Sequence, residues 1–247
     1  MSEDKNQKVL VMAPQSTIAK ALMRRMNESG IQVACLGRTI SNIDENTCQW
    51  KAACDLTDFD AVDDAVNAAV EALGGLTGIV NCSGTMLLKP AHLTSRDEYE
   101  QSWHGNVTTS FAAVRAAGRV MSGSGGSVVL ISSAAATLGM ANHEAIAAAK
   151  AAIEGLVRSA AATYASRGLR FNAVAPGLVD TNLTTRLVSN IATLKVSERL
   201  HPLGRVGVPD DIARAILWFL NPDQSWVTGQ VIGVDGGLSH VQPRMKM

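Results

Sequence analysis

The chain has 247 residues, 47% of them hydrophobic, and its basic and acidic side chains balance at 22 each. That length and apolar content suffice for a substantial core in one domain, and zero net charge argues against nucleic acid or an anionic membrane surface as a partner. Cys35, Cys48, Cys54 and Cys82 lack Cys-x-x-Cys or Cys/His metal spacing, and no apolar segment resembles a signal region or a span of roughly 18 residues, so a cytoplasmic protein with reduced thiols and no metal is expected.

In chain order, β-rich runs occupy residues 8–13 (KVLVMA), 31–36 (IQVACL), 50–54 (WKAAC), 78–82 (GIVNC), 127–132 (SVVLIS), 170–174 (RFNAV) and 230–234 (QVIGV). Amphipathic helical patterns such as 60–73 and 211–220 lie between them, which is the alternation of βαβ units feeding a parallel sheet. The expectation is a single α/β domain over 1–247 with a doubly wound, seven-stranded parallel sheet. Ligands of such sheets bind beyond the strands' carboxyl ends, so the loops after Val11, Leu36, Cys54, Cys82, Ser132 and Val174 are the places to look for a site. The sequence contains no repeats, linkers or low-complexity tracts.

The segments VNCSG (80–84), ISS (131–133), AAAKAAIEGL (147–156), FNAVAPGLVDT (171–181) and TGQVIGVDGG (228–237) together resemble the short-chain dehydrogenase/reductase family. Each is weak alone, but they stand in the family's order and spacing over nearly the whole chain, which implies a Rossmann-type fold. Function has to be read residue by residue. The family's catalytic set is an asparagine, a serine, a tyrosine and a lysine; by position these are Asn106, Ser133, Ile146 and Lys150. In the family the phenol carries the proton while hydride passes between substrate and nicotinamide. A hydrocarbon side chain cannot do so, and losing a general acid/base typically removes roughly 10²- to 10⁴-fold in rate. Ile146, Ile153 and Val157 recur at i, i+7 and i+11, an apolar stripe that gives Ile146 a packing role. Of the two tyrosines, Tyr99 and Tyr164, the second lies fourteen residues past Lys150, about 21 Å along a helix, too far to substitute. Asn106, Ser133 and Lys150 are therefore expected as relics, with no functional catalytic residue.

The family's phosphate loop reads T-G-x-x-x-G-x-G, whereas residues 12–19 here read MAPQSTIA, without a glycine. Those glycines serve a tight turn, close approach of backbone to pyrophosphate, and helix-on-sheet packing. Ala13 and Ala19 are small changes, but Thr17 adds β-branched bulk and Pro14 removes an N–H. Some cofactor features persist. Asp55 and Leu56 resemble the pair that contacts adenine, and Asn81 with Gly84 resembles the motif beside the adenine ribose. Arg38, where an NAD-specific acid would stand, would favour the 2′-phosphate of NADP(H). The same residues also have ordinary readings: Asp55 as a turn residue, Asn81 as a tie between strands, Arg38 as a solvated charge. The expectation is that this chain binds no cofactor, and that NAD(P) sits in a catalytic partner.

Pro176, Gly177 and Thr181 match the family's loop over the nicotinamide, and a lid is expected over about 178–205. His143 and Glu144 stand near enough in sequence to offer a substitute proton donor. Ala145, Ala147, Ala148, Ala149, Ala151 and Ala152 permit close helix approach, and the resemblance implies that this helix and the one through Asn106 form a four-helix interface with a second subunit. The pattern of losses resembles that of an inactive subunit in a heteromeric member of the family. A heterotetramer with a catalytic paralogue that oxidises a hydroxyacyl-CoA-type alcohol is the leading expectation, with the tail 238–247 (Met245 or Met247) reaching the partner's pocket. An NADP-dependent oxidoreductase using His143 or water as donor, and a module that binds a nucleotide or acyl-CoA without chemistry, are the two alternatives.

Overall fold

In the computed structural model residues 7–242 are described; Met245 and Met247 lie outside them. The strands are β1 (Lys8–Met12), β2 (Gln32–Gly37), β3 (Trp50–Ala53), β4 (Gly78–Asn81), β5 (Gly126–Ile131), β6 (Leu169–Pro176) and β7 (Val231–Val234), all parallel in the order β3-β2-β1-β4-β5-β6-β7. The order reverses between β1 and β4, so a crevice opens there at the carboxyl ends, where Met12 pairs with both Leu36 and Asn81. Observed and expected strands agree to within one or two residues. β6 departs most, running on to Pro176 because Ala175 and Pro176 pair with Gly233 and Val234 of β7.

The two faces of the sheet carry separate cores, which the period-2 alternation of strand side chains dictates. On β1, Leu10 and Met12 face the cluster under α2 (Phe59–Leu73), α4 (Thr109–Val120) and α5 (Glu144–Tyr164), while Val9 and Val11 face the cluster under α1 (Thr17–Glu28) and α8 (Pro209–Leu220). Side-chain caps fix where helices begin: Ser16 accepts from Ala19 N at the start of α1, and Asp58 from Ala61 N before α2. Helix α2 stops at Gly74, whose φ of 67° is a left-handed turn. Helix α3 (Arg96–Trp103) runs into α4 through one π-helical turn, His104–Thr108, that contains Asn106. Two short helices, α6 (Thr185–Val188) and α7 (Ile191–Leu200), fill the expected lid. No described helix is long and apolar enough to cross a membrane.

Candidate active site

Helix α5 carries Lys150 and, one turn earlier, Ile146, and both are buried. The Lys150 ammonium donates to Ile131 O at 2.8 Å, the last carbonyl of β5. A Cβ built on Gly84 would lie 3.5 Å from Lys150 Nζ and 3.2 Å from Asn106 Oδ1, so this glycine stands in close contact with both side chains. Burial pushes the Lys150 pKa down from 10.5 to about 8, a shift the neighbouring Cys82 opposes. Cys82 itself is pushed up to about 12 by burial, against a hydrogen bond with Ser16.

The other members of the set are present but engaged elsewhere. Asn106 Nδ2 donates to Ser102 O at 2.7 Å and to Thr85 Oγ1 at 3.0 Å, while its backbone carbonyl accepts from the Ser110 hydroxyl at 2.7 Å. Ser133 Oγ accepts from Ala135 N at 3.2 Å, which leaves its O–H able to donate. Ile146, 5% exposed, joins Ile153 and Val157 along the buried side of α5, as its spacing predicts. Tyr164 ends the same helix, its ring 5.4 Å from that of Phe171, and is committed to packing.

Ile146, Lys150 and Ser133, but neither Asn106 nor Tyr164, border a cavity of about 680 Å³. It is lined by Ile146, Lys150, Ser133, Met140 and His143 on one side and by Leu178, Leu187, Leu200 and His201 of the lid region on the other. Among the described residues its wall contains two histidines but no carboxylate and no arginine. His143 precedes α5, and its Nδ1 contacts Ala141 O at 2.7 Å. His201 pins the lid: Nδ1 pairs with Ser197 O at 2.6 Å and Nε2 accepts from Leu178 N at 3.2 Å, which fits the Nδ1–H tautomer. Sequence reasoning missed His201, because its role depends on a contact across the lid that no local pattern signals. It also missed Glu154, buried on α5 and held by the Ser132 hydroxyl at 2.8 Å.

At the α1 end of the cavity, Ala13 adopts φ 57°, the left-handed conformation that a glycine would take without strain. Pro14 packs on the end of β2, where a Cβ at Gly37 would meet Pro14 Cδ at 3.0 Å. The Thr17 hydroxyl accepts from Asn182 N at 3.1 Å, tying the start of α1 to the lid. Thr181 Oγ1 pairs with Thr184 Oγ1 at 3.1 Å. The weak cofactor candidates are mostly spent on the fold. Asn81 is buried, accepting from Ser83 N at 3.0 Å and donating to Thr109 and Ser110. Leu56 is buried in the core. The Asp55 carboxylate accepts from Thr57 N and Thr57 Oγ1, bonds that lower its pKa. Arg38 is exposed at the end of β2.

A family model described as enoyl-(acyl carrier protein) reductase matches residues 12–239. An inactive 2-(S)-hydroxypropyl-CoM dehydrogenase 2 from Xanthobacter autotrophicus is 34% identical over 84% of this chain and 92% of the relative. The 2-(S)-hydroxypropyl-CoM dehydrogenase 3 of the same organism is also 34% identical, over 76% of this chain and 75% of its own. Among solved structures, the ligand-free aldohexose dehydrogenase of Thermoplasma acidophilum superposes with a TM-score of 0.91 at 26% identity, covering 100% of this chain and 99% of that one.

Proposed function

Since this chain belongs to the short-chain dehydrogenase/reductase family of oxidoreductases, we propose that it is a non-catalytic subunit that supports a catalytic paralogue in a heteromer with closed symmetry, a heterotetramer on this reading. The observation that carries the reading is Ile146, a buried hydrocarbon one helical turn from Lys150, where the family's reaction needs an ionisable oxygen. The α1 turn gives independent support. A strained Ala13, a Pro14 without an N–H and a Thr17 already bonded to the lid do not fit a dinucleotide pyrophosphate, so on this reading the chain holds no cofactor and NAD(P) sits in the partner.

A relative named inactive, matched beside a second dehydrogenase of that organism, fits a pairing of silent and working paralogues. The partner's substrate on this reading is a secondary alcohol joined to a coenzyme thiol. A hydroxyacyl-CoA such as 2-[hydroxy(phenyl)methyl]succinyl-CoA of anaerobic toluene degradation belongs to that class, as does the hydroxypropyl-CoM in the relatives' names.

The test is affinity purification of this chain from its own cells, followed by native mass measurement. A paralogue with an intact Tyr-x-x-x-Lys is expected in the assembly. A homomer alone would end the proposal. His143, which lines the same cavity as Lys150, favours one other reading, an NADP-dependent oxidoreductase with that imidazole as donor. Purified alone, the chain would then turn over with NADPH and lose that activity in Lys150→Ala.

A further inference from the structure

Lys150 is the only lysine or arginine on the wall of a cavity that, among its described lining residues, contains no carboxylate. Its one recorded side-chain hydrogen bond goes to a backbone carbonyl, Ile131 O, at 2.8 Å. A second polar group on the same wall, Gln15 Nε2, is buried without a hydrogen-bond partner among the described residues. The remaining surface is largely apolar, from Ile146, Met140, Leu187 and Leu200. An amine so placed needs either a counter-ion or a bond.

We propose that Lys150 captures a neutral, mainly apolar aldehyde or ketone as a Schiff base inside this cavity. The proposal rests on the preceding reading in one respect, that no nicotinamide fills the space beside Lys150. The Nζ lone pair attacks the carbonyl carbon, and the C=O π pair moves to oxygen. A proton passes from nitrogen to that oxygen to give a carbinolamine. The oxygen then leaves as water with the second amine proton, and the nitrogen pair forms the C=N bond. Amine and carbonyl give imine and water with no oxidant or reductant. The Ser133 hydroxyl, whose recorded bond uses its oxygen as acceptor, is able to donate to the carbonyl oxygen during attack. With its pKa at about 8, Lys150 is about 10% neutral amine at pH 7, against roughly 0.03% for an ordinary lysine.

The test incubates the full-length protein at pH 7 with benzaldehyde and sodium cyanoborohydride and maps the benzyl groups by peptide mass spectrometry. Lys150 is expected to be labelled at least about tenfold faster than the exposed Lys20, and Lys150→Arg is expected to lose that adduct while Lys20 still reacts. Labelling of Lys20 with Lys150 untouched would overturn the inference. So would a cavity that binds benzoate, an anion of the same shape, yet never forms the adduct, since the amine would then be an ion-pair site. Labelling that NADPH abolishes would uphold the amine's reactivity but count against the cofactor-free reading, so the two failures are distinguishable.

Discussion

Lys150 is a buried ammonium on α5 that donates to a backbone carbonyl, and that placement has a cost measurable without any activity. Its fall from 10.5 to about 8 corresponds to roughly 3 kcal/mol of penalty on the charged form. The sign follows from proton counts: between about pH 8 and 10.5 the unfolded chain keeps this proton and the native chain does not, so stability rises with pH across that window. Lys150→Met removes the penalty but leaves Ile131 O without its partner, a loss of about 1–3 kcal/mol. Denaturant melts are expected to show the variant more stable than wild type at pH 7 by on the order of 1 kcal/mol, with the advantage gone by pH 10.5. A pH-independent difference would mean that the lysine is hydrated. One turn away, Ile146→Tyr supplies the missing phenol but leaves the α1 turn as it is, and stopped assays with NADPH and a panel of ketones are expected to stay at background. Substantial turnover would show that the loop binds dinucleotide despite its side chains. Ile146 was legible in the sequence because a four-residue spacing to Lys150 on a helix fixes their shared face. His201 and Glu154 were not, since each answers to a partner far along the chain, Leu178 and Ser132.

At the scale of elements, the loop from β1 into α1 concentrates the departures from the family pattern, and it is also where strain sits. Ala13 holds φ 57° because its N–H is fixed on Leu36 O at 2.8 Å and its carbonyl receives Ser16 N at 3.1 Å, so the turn cannot relax without breaking both bonds. A left-handed alanine costs roughly 1–2 kcal/mol relative to glycine, partly offset by glycine's greater unfolded-state entropy. Ala13→Gly is therefore expected to raise the free energy of unfolding by about 0.5–1 kcal/mol in urea melts; a destabilised variant would show that the alanine's packing against the core outweighs its strain. The strands and long helices around this turn were readable from alternation and amphipathic period. The link from Thr17 to Asn182 was not, since only the tertiary fold brings the lid over α1. Helices α6 and α7 were anticipated as a lid by position alone, because such short segments carry little periodic signal.

For the whole molecule, the proposed assembly puts its weight on the outer side of α5. There Ala148, Ala151 and Ala162 are exposed, while Ile146, Ile153 and Val157 on the other side are sealed into the core. A Cβ on Gly155 would meet nothing within 4 Å, so over Ala148, Ala151 and Gly155 this side of the helix carries little bulk and another helix can approach there, with the exposed Arg158 one turn further on. The alanine run showed small residues, but their division into core and surface became visible only when the sheet fixed the rotation of α5. Ala151→Arg separates folding from association. Arginine is nearly as good a helix former as alanine and an exposed site tolerates it, so the melting free energy of the isolated chain is expected to stay within about 0.5 kcal/mol of wild type. Between two closely approaching helices the same guanidinium would be buried without a counter-charge, a penalty of several kcal/mol at each symmetry-related contact. Native mass measurement after co-expression with the paralogue is expected to find the assembly broken into smaller species while circular dichroism of each remains that of a folded protein. An intact assembly containing the arginine variant would mean that the subunits meet through another face.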